Sequence, residues 1–199
     1  VNGVICEGLR GWLASEGLRL VSGVVEGEEV VEELRLMNQV GFMLKEQGRL
    51  EEAEVVFRRG LAGNERVLGA DHPRTLISIN NLGVLLKDQG KLKEAETLYR
   101  RALKGRERVL GVDHPHTLLS VNNLGWLLKN QGKFEEAEAM LRRALEGRES
   151  VLGVDHPDTL SSADRLALLL SDQGKYDEAE PLFRRALEGR ERVLGADDP

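Results

Sequence analysis

The chain repeats itself every 42 residues, and this periodicity limits its possible folds more than any other feature. An Asp-His-Pro segment recurs at 71–73, 113–115 and 155–157, and a degraded copy occupies 197–199. In addition, 30 of the 42 positions in 73–114 match their counterparts in 115–156. A fixed period of this size indicates tandem supersecondary units that bury their apolar faces against one another. We therefore expect one elongated array over 32–199, with units at approximately 32–72, 73–114, 115–156 and 157–199.

Each unit is predicted to contain two antiparallel helices. In the second repeat, residues 73–114, apolar residues between Thr75 and Gln89 follow the spacing of an amphipathic helix. Asp71 or His72 can cap the start of this helix, Pro73 suits its first turn, and Gly90 is expected to end it. A second amphipathic helix follows after a short connection, which favours antiparallel packing of the pair.

Two regions depart from this simple pattern. The second helix of each unit carries a glycine, which costs up to about 1 kcal/mol relative to alanine in a helix interior. We expect a kink or an early end of the helix at these positions, which are Gly63, Gly105, Gly147 and Gly189. Residues 1–31 fit the period poorly and are predicted to be a diverged helical unit or a junction, because Glu29-Val30-Val31 replaces the Asp-His-Pro. The chain starts without Met and stops in a linker, so we expect it to be part of a longer protein.

Composition excludes several classes of protein. No apolar run approaches the roughly 18 residues of a membrane span, and the N-terminus lacks the pattern of a signal peptide. The net charge of −6 argues against non-specific nucleic-acid binding. Cys6 is the only cysteine, which rules out an intrachain disulfide and favours a reducing, cytoplasmic location.

The motifs of the unit resemble those of the tetratricopeptide repeat. Its signature is matched by small residues between the two helices together with larger ones around them, at Leu82-Gly83, Leu86, Ala95, Tyr99 and Ala102. The 42-residue length, with Asn-Asn-Leu-Gly, Gln-Gly-Lys and Arg-Arg-Ala-Leu segments, resembles the kinesin-light-chain type of repeat. Similar arrays form the C-terminal sensor region of fungal and bacterial receptor-like ATPases of the NB-ARC or NACHT kind. The resemblance implies an all-α, right-handed α-solenoid and a protein-binding role, although residues 1–31 show no heptad coiled coil.

Catalytic and metal-binding chemistry is not expected. The histidines of the three Asp-His-Pro segments occur once per unit, so stacking separates them, whereas zinc needs three or four converging ligands. No nucleophile stands beside a base outside the repeated framework, and no phosphate-binding glycine loop occurs. We therefore predict a non-enzyme without metal or cofactor. Glutamate and arginine recur four residues apart on the second helices, and we interpret these pairs as a solvated helix face with some pairing between repeats.

The first helices carry the candidate binding residues. In tetratricopeptide arrays these helices line a concave groove that holds peptides, and the resemblance places three columns of residues there. Amides in the first column can pair with a peptide backbone, and lysines in the third favour acidic groups. The columns are Asn38, Asn80, Asn122 and Asp164; Phe42, Val84, Trp126 and Leu168; and Lys45, Lys87, Lys129 and Ser171. The competing interpretation is that the amides tie helices together, the lysines are solvated and the aromatic residues pack within the groove.

These columns lead to a functional hypothesis. We expect a scaffold that binds a protein or peptide partner through the concave groove, with an acidic segment and an aromatic anchor as the ligand. The alternatives are the autoinhibitory sensor region of a larger signalling ATPase, or a structural array that associates end to end. Neither a nucleic acid nor a membrane is expected as a partner.

Overall fold

The computed structural model describes residues 28–195, apart from the side chains of four residues near its two ends. Within this range the protein forms eight α-helices and no strand, which confirms the predicted all-α, helix-turn-helix organisation. The helices are α1 (Glu28–Glu46), α2 (Leu50–Leu68), α3 (Pro73–Asp88), α4 (Leu92–Leu110), α5 (Pro115–Asn130), α6 (Phe134–Leu152), α7 (Pro157–Asp172) and α8 (Tyr176–Gly195). The predicted fold of residues 1–27 lies outside the described residues.

The described residues fall into two compact units, with the boundary between Leu85 and Leu86 near the end of α3. In the first unit, α1 packs against α2 around Leu34, Met37 and Phe57, all at most 2% exposed. The second unit contains α4 to α8, and each helix packs against the next through leucines and alanines that are almost fully buried. Both cores consist of the apolar stripes that the 3.6-residue periodicity predicts.

The Asp-His-Pro segments start the first helices, and the histidine is the residue that caps them. His114 has an extended backbone, and its Nδ1 accepts a hydrogen bond from the backbone N–H of His116 at 3.1 Å. The bond recurs at His156, whose Nδ1 accepts from the N–H of Asp158 at 3.1 Å. Each proline takes the first helical turn, where no intrahelical donor is needed. The predicted capping role is therefore confirmed for the histidine.

The helices that precede these caps end at a glycine. Gly111 adopts a φ of 93°, which a residue with a Cβ rarely adopts. Its carbonyl accepts a hydrogen bond from Thr117 Oγ1 at 2.8 Å, and this bond recurs from Thr159 to Gly153. The threonine therefore holds the linker against the helix that follows. The predicted stop of the first helices is also confirmed, since Gly90 has a φ of 77° just beyond α3.

The glycines inside the second helices do not end them early, so that alternative was wrong, and a kink at these positions stays a prediction. Helix α6 continues through Gly147 to Leu152. A Cβ built on Gly147 would lie 2.5 Å from Cδ2 of Leu118, a side chain that is 1% exposed. The glycine is there because a buried leucine of the preceding helix needs the space. A similar contact joins Gly189 to Leu160.

The first helix begins earlier than the repeat boundary at residue 32. Residues 28–31, which the sequence pattern assigns to a diverged helical unit or a junction, form the first turn of α1. Val30 is 2% exposed and contributes to the core of the first unit. No Asp-His-Pro stands here, so no proline fixes the start of the helix at this position.

Candidate functional site

The amide column lies mainly at the contacts between helices. Asn122 is 2% exposed, and its Oδ1 accepts a hydrogen bond from Ser162 Oγ on α7 at 3.4 Å. Asn38 is half-buried and donates from Nδ2 to Ser78 Oγ on α3 at 3.4 Å. Asn80 is 8% exposed. These contacts support the competing interpretation, in which the amides tie neighbouring helices together. The carboxylate of Asp164, in the same column, accepts a hydrogen bond from Arg190 on α8.

The lysine column is largely neutralised by neighbouring acids. Lys129 Nζ lies 2.6 Å from Oδ2 of Asp172 on α7. Lys87 Nζ lies 3.1 Å from Oδ1 of the adjacent Asp88. Lys45, in the first unit, is half-buried. A ligand carboxylate would have to compete with these partners, so Lys87 and Lys129 offer less positive charge than the sequence suggests.

The apolar column provides two aromatic side chains in different surroundings. Phe42 is 41% exposed, and its ring meets the edge of Phe57 with centroids 5.4 Å apart. Val84 and Trp126 are half-buried. Leu168, the counterpart of Trp126 on α7, is 42% exposed. The column therefore forms an accessible apolar surface within each unit.

Trp126 forms a cluster with two cations. The Nζ of Lys129 lies 4.7 Å from the centroid of the indole ring, and Cζ of Arg165 lies 5.5 Å from it. Both distances allow attraction between a cation and the face of the ring. Arg165 also donates from Nη1 to Oδ1 of Asn123 at 3.3 Å. The side chains of α5 and α7 thus meet at Trp126, and we call Trp126, Lys129 and Arg165 the indole–cation cluster.

Arg165 is the member of this cluster whose charge is not compensated. No carboxylate pairs with it among the described residues. Its side chain is partly buried, and burial lowers the pKa of the guanidinium from its ordinary value because desolvation disfavours the charged form. Arginine nevertheless stays protonated at neutral pH. The cluster therefore presents one positive charge beside an apolar ring, which suits a carboxylate attached to an apolar group.

The columns chosen from the sequence did not include Arg165. The equivalent positions in the earlier repeats hold Gln39, Asn81 and Asn123, so the substitution of an amide by arginine in one repeat was a visible signal. Trp126 was singled out by the same kind of departure. The proximity of the two residues could not be seen in the sequence, because they lie on different helices.

The second helices carry a ladder of ion pairs. Glu96 accepts hydrogen bonds from Arg100 on its own helix at 2.9 Å and from Lys133 before α6 at 2.8 Å. Arg100 also donates to Glu136 of the next repeat at 3.0 Å. These bonds, that from Lys133 foremost, lower the pKa of Glu96 to about 2 against the opposing effect of burial. The arrangement recurs one repeat later around Glu138. The predicted pairs within helices and between repeats are confirmed.

Metal-ligand geometry does not occur in the described part of the protein. Among the side chains that the structure describes, no group of three or more His, Cys, Asp or Glu is close enough to hold an ion. His116, the second imidazole of its repeat, stacks on His114 with ring centroids 5.4 Å apart. No helix in the same range is long and apolar enough to cross a membrane.

Comparisons with known proteins agree with this architecture. The tetratricopeptide-repeat family model matches residues 32–108, 79–150 and 128–192. Among solved structures, BtubC (BKLC) from P. vanneervenii superposes with a TM-score of 0.77 at 21% identity, covering 88% of this chain and 69% of that one. A putative kinesin light chain of Podospora anserina with nearly identical repeats gives 0.70 at 21% identity, over 89% and 84% of the two chains. PilF of Pseudomonas aeruginosa gives 0.62 at 23% identity, over 81% and 63%. No curated protein matched the sequence.

Proposed function

Since this chain belongs to the tetratricopeptide-repeat family, whose members generally act as protein-interaction scaffolds, we propose that it binds an acidic peptide segment of a partner protein. The binding surface is the face formed by the first helices of the last two repeats, α5 and α7. No catalytic step is involved.

The observation that carries this proposal is the pairing of Trp126 with Arg165. A guanidinium without a carboxylate partner lies against an indole ring, and both side chains are partly accessible. An aspartate or glutamate of the partner would form charge-assisted hydrogen bonds with Arg165. An apolar or aromatic side chain next to it would pack on Trp126 and on Leu168, which is 42% exposed.

Lys129 has a secondary role in this arrangement. Its ammonium group is bound to Asp172 at 2.6 Å and lies over the same ring, 4.7 Å from its centroid. The lysine is therefore held in place, and it adds positive potential without offering a free charge. The helical scaffold also fixes the side chains before binding, which keeps the ordering cost on the receptor low.

A peptide-display selection tests the proposal with no assumption about which protein is the partner. Random decapeptides are selected in parallel on the wild type and on the double variant Trp126→Val with Arg165→Asn, which restores residues that other repeats carry. We expect enriched peptides that combine Asp or Glu with an aromatic or aliphatic residue. Enrichment of basic peptides, or of the same peptides by both proteins, would contradict the proposal.

A second candidate function, self-association through α8, is favoured by the exposure of its apolar residues. Leu187 is 58% exposed and Phe183 is 37% exposed. Their counterparts one repeat earlier, Leu145 and Leu141, are 6% and 0% exposed. We propose that a second copy of the protein packs against this face of α8 and buries it.

Light scattering at increasing concentration tests this second candidate. We expect dimers or larger species in the wild type and monomers in a Leu187→Glu variant. A matched control, Val154→Glu, places the same charge at an exposed linker position, where Val154 is 54% exposed. A wild-type protein that stays monomeric at high concentration would exclude self-association.

A further inference from the structure

In the second compact unit, a buried arginine near the end of a repeat's second helix joins that repeat to the first helix of the following repeat. Arg106 is 3% exposed, and its Nη1 donates to the backbone carbonyl of His116 at 2.9 Å and to Ser120 Oγ at 2.7 Å. Arg148 repeats this pattern with the carbonyl of Asp158 and with Ser162 Oγ, both at 2.8 Å. The guanidinium thus fills the space beside the start of the following first helix.

The first unit has a shorter residue at this position. Asn64 stands where the later repeats carry arginine, and it is 3% exposed. Its Nδ2 donates to Ser78 Oγ at 2.9 Å, which preserves the bond to the serine fourteen residues later. An asparagine side chain is too short to fill the volume that an arginine occupies.

A cavity of about 220 Å³ lies next to Asn64. Its walls are Leu34, Arg35, Asn38, Asn64, Arg74 and Ile77, all within the first unit. Leu34 is 1% exposed and forms an apolar floor, while Ile77 is 41% exposed at the opening. The cavity therefore combines apolar, carboxamide and guanidinium surfaces, and it is large enough for a small organic molecule rather than for water alone.

The charges around the cavity favour an anion. The Nε of Arg35 is bound to Oε1 of Glu32 at 2.9 Å, so its charge is largely compensated. The guanidinium of Arg74 forms no ion pair with the side chains that the structure describes, and, besides the hydrogen bond from Arg35, its charge helps to lower the pKa of the Glu32 carboxyl. Two guanidinium groups therefore share one carboxylate beside the cavity. A carboxylate in the cavity would place its oxygens near Arg74 and its apolar part on Leu34 and Ile77.

Arg74, ten positions after Asn64, accounts for the absence of an arginine at position 64. In the second unit the pairs are Arg106 with His116 and Arg148 with Asp158, whereas the first unit combines Asn64 with Arg74. The members of such a pair interact, since burial and then the charge of Arg106 lower the pKa of His116. Two arginines at these positions would repel each other in a partly desolvated space.

We propose that this cavity is a binding site for a small carboxylate that carries a short apolar group, held by Arg74. Such a group could be supplied by a free organic acid or by the C-terminal residue of a polypeptide, and both share the same recognition chemistry. The site is independent of the indole–cation cluster, which lies in the other unit.

The probes for the test are N-acetyl-leucine, which mimics an apolar C-terminus, isovalerate, which is a free acid, and N-acetyl-leucinamide, which lacks the carboxylate. Binding to the protein of residues 1–199 is followed by amide chemical-shift changes during titration. We expect N-acetyl-leucine to shift signals of residues around Asn64, with the amide at least about tenfold weaker, since a hydrogen bond to a charged group is lost. If isovalerate binds with the same affinity as N-acetyl-leucine, the ligand is a free acid. If isovalerate binds more weakly, the ligand is the C-terminus of a polypeptide.

Three variants make the test decisive. Arg74→Asp should abolish binding, and Asn64→Arg with Arg74→Asp should both abolish binding and raise the Tm, because this pair reproduces Arg148 with Asp158 and fills the cavity. Arg66→Asp is the control, since it makes the same charge change on the exposed surface of α2, and it should bind as the wild type does. Equal binding of acid and amide, binding that survives in the double variant, or no binding of either acid at tens of millimolar would overturn the proposal.

Discussion

Trp126 on α5 and Arg165 on α7 lie against each other, with the guanidinium carbon 5.5 Å from the centroid of the indole ring. Trp126 is the only tryptophan at its position in the four repeats, where the others have Phe, Val and Leu. Arg165 is the only charged residue at its position, where the other repeats have an amide. In an array whose repeats are so similar, most side chains serve the stacking that all repeats share. Two departures that meet in space indicate a requirement of this one location, and binding is the function that they support.

Substitution of the glycines in the second helices should have opposite effects at two positions. Gly60→Ala is expected to stabilise the fold by up to about 1 kcal/mol through helix propensity, because the new Cβ would lie at an ordinary 3.6 Å from Cβ of Met37. Gly147→Ala should destabilise it by about 1–3 kcal/mol through overpacking, because Leu118 Cδ2 would be only 2.5 Å away. Urea denaturation of both variants measures the free energies of unfolding. A stabilising Gly147→Ala would refute the close-packing explanation.

Removal of the serine hydroxyl that accepts a hydrogen bond from the buried guanidinium of Arg148 should lower stability. Ser162 Oγ accepts from Arg148 Nη1 at 2.8 Å, and its loss would leave part of a buried charged donor unsatisfied. We expect Ser162→Ala to lower the free energy of unfolding by about 1–3 kcal/mol. Ser161, its half-buried neighbour on α7, provides the control, and Ser161→Ala should change stability by less than about 0.5 kcal/mol. Equal effects in thermal denaturation would show that the bond contributes nothing specific.

The ion-pair ladder should make stability depend on pH in the acid range. Hydrogen bonds from Lys133 and Arg100 lower the pKa of Glu96 from its ordinary 4.5 to about 2 in the folded protein. A lowered folded-state pKa stabilises the fold above the unfolded-state value, and this contribution is lost as the pH falls from about 4.5 towards 2. The difference in unfolding free energy between wild type and Glu96→Gln should therefore shrink over this window. Chemical denaturation at several pH values measures it.

Glu180→Gln is a suitable control for this pH experiment. Glu180 pairs with Arg184 on its own helix, and its side chain is 71% exposed. Such exposed pairs contribute at most about 1 kcal/mol. A pH dependence as large as that of the Glu96 variant would argue that the ladder between repeats has no special role.

The fold could be predicted from the sequence in considerable detail because its determinants are local and repeated. The period located the last three helix pairs, the apolar spacing identified the buried faces, and the Asp-His-Pro segments marked the starts of α3, α5 and α7. The function of Gly147 could not be predicted, since its cause is a leucine on another helix, about thirty residues away. A propensity scale describes the glycine as a weak point, although it is a requirement of packing.

The candidate site was only partly predictable for a similar reason. Lys129 appeared to be a free cation in the sequence, but the fold places it 2.6 Å from Asp172, a residue 43 positions later. Asn122 appeared to be available to a peptide backbone, but α7 covers it and provides Ser162 as its partner. Of the indole–cation cluster, the sequence columns contain Trp126 and Lys129 but not Arg165, and Trp126 stands out without a structure because it is a single unusual residue in its repeat. Contacts between repeats decide which of the repeated polar groups remain accessible.

The central claim is that Arg165, beside Trp126, binds a carboxylate of the partner peptide. It is tested most directly by isothermal titration with a synthetic peptide of acidic residues around one tryptophan, compared with the same peptide containing Asn and Gln in place of Asp and Glu. The wild type should bind the acidic peptide at least about tenfold more tightly than the amide peptide, as expected for a charge-assisted hydrogen bond. In Arg165→Asn, which carries the residue of the preceding repeat, this preference should fall to nearly one. An unchanged preference in Arg165→Asn, or no preference in the wild type, would contradict the claim.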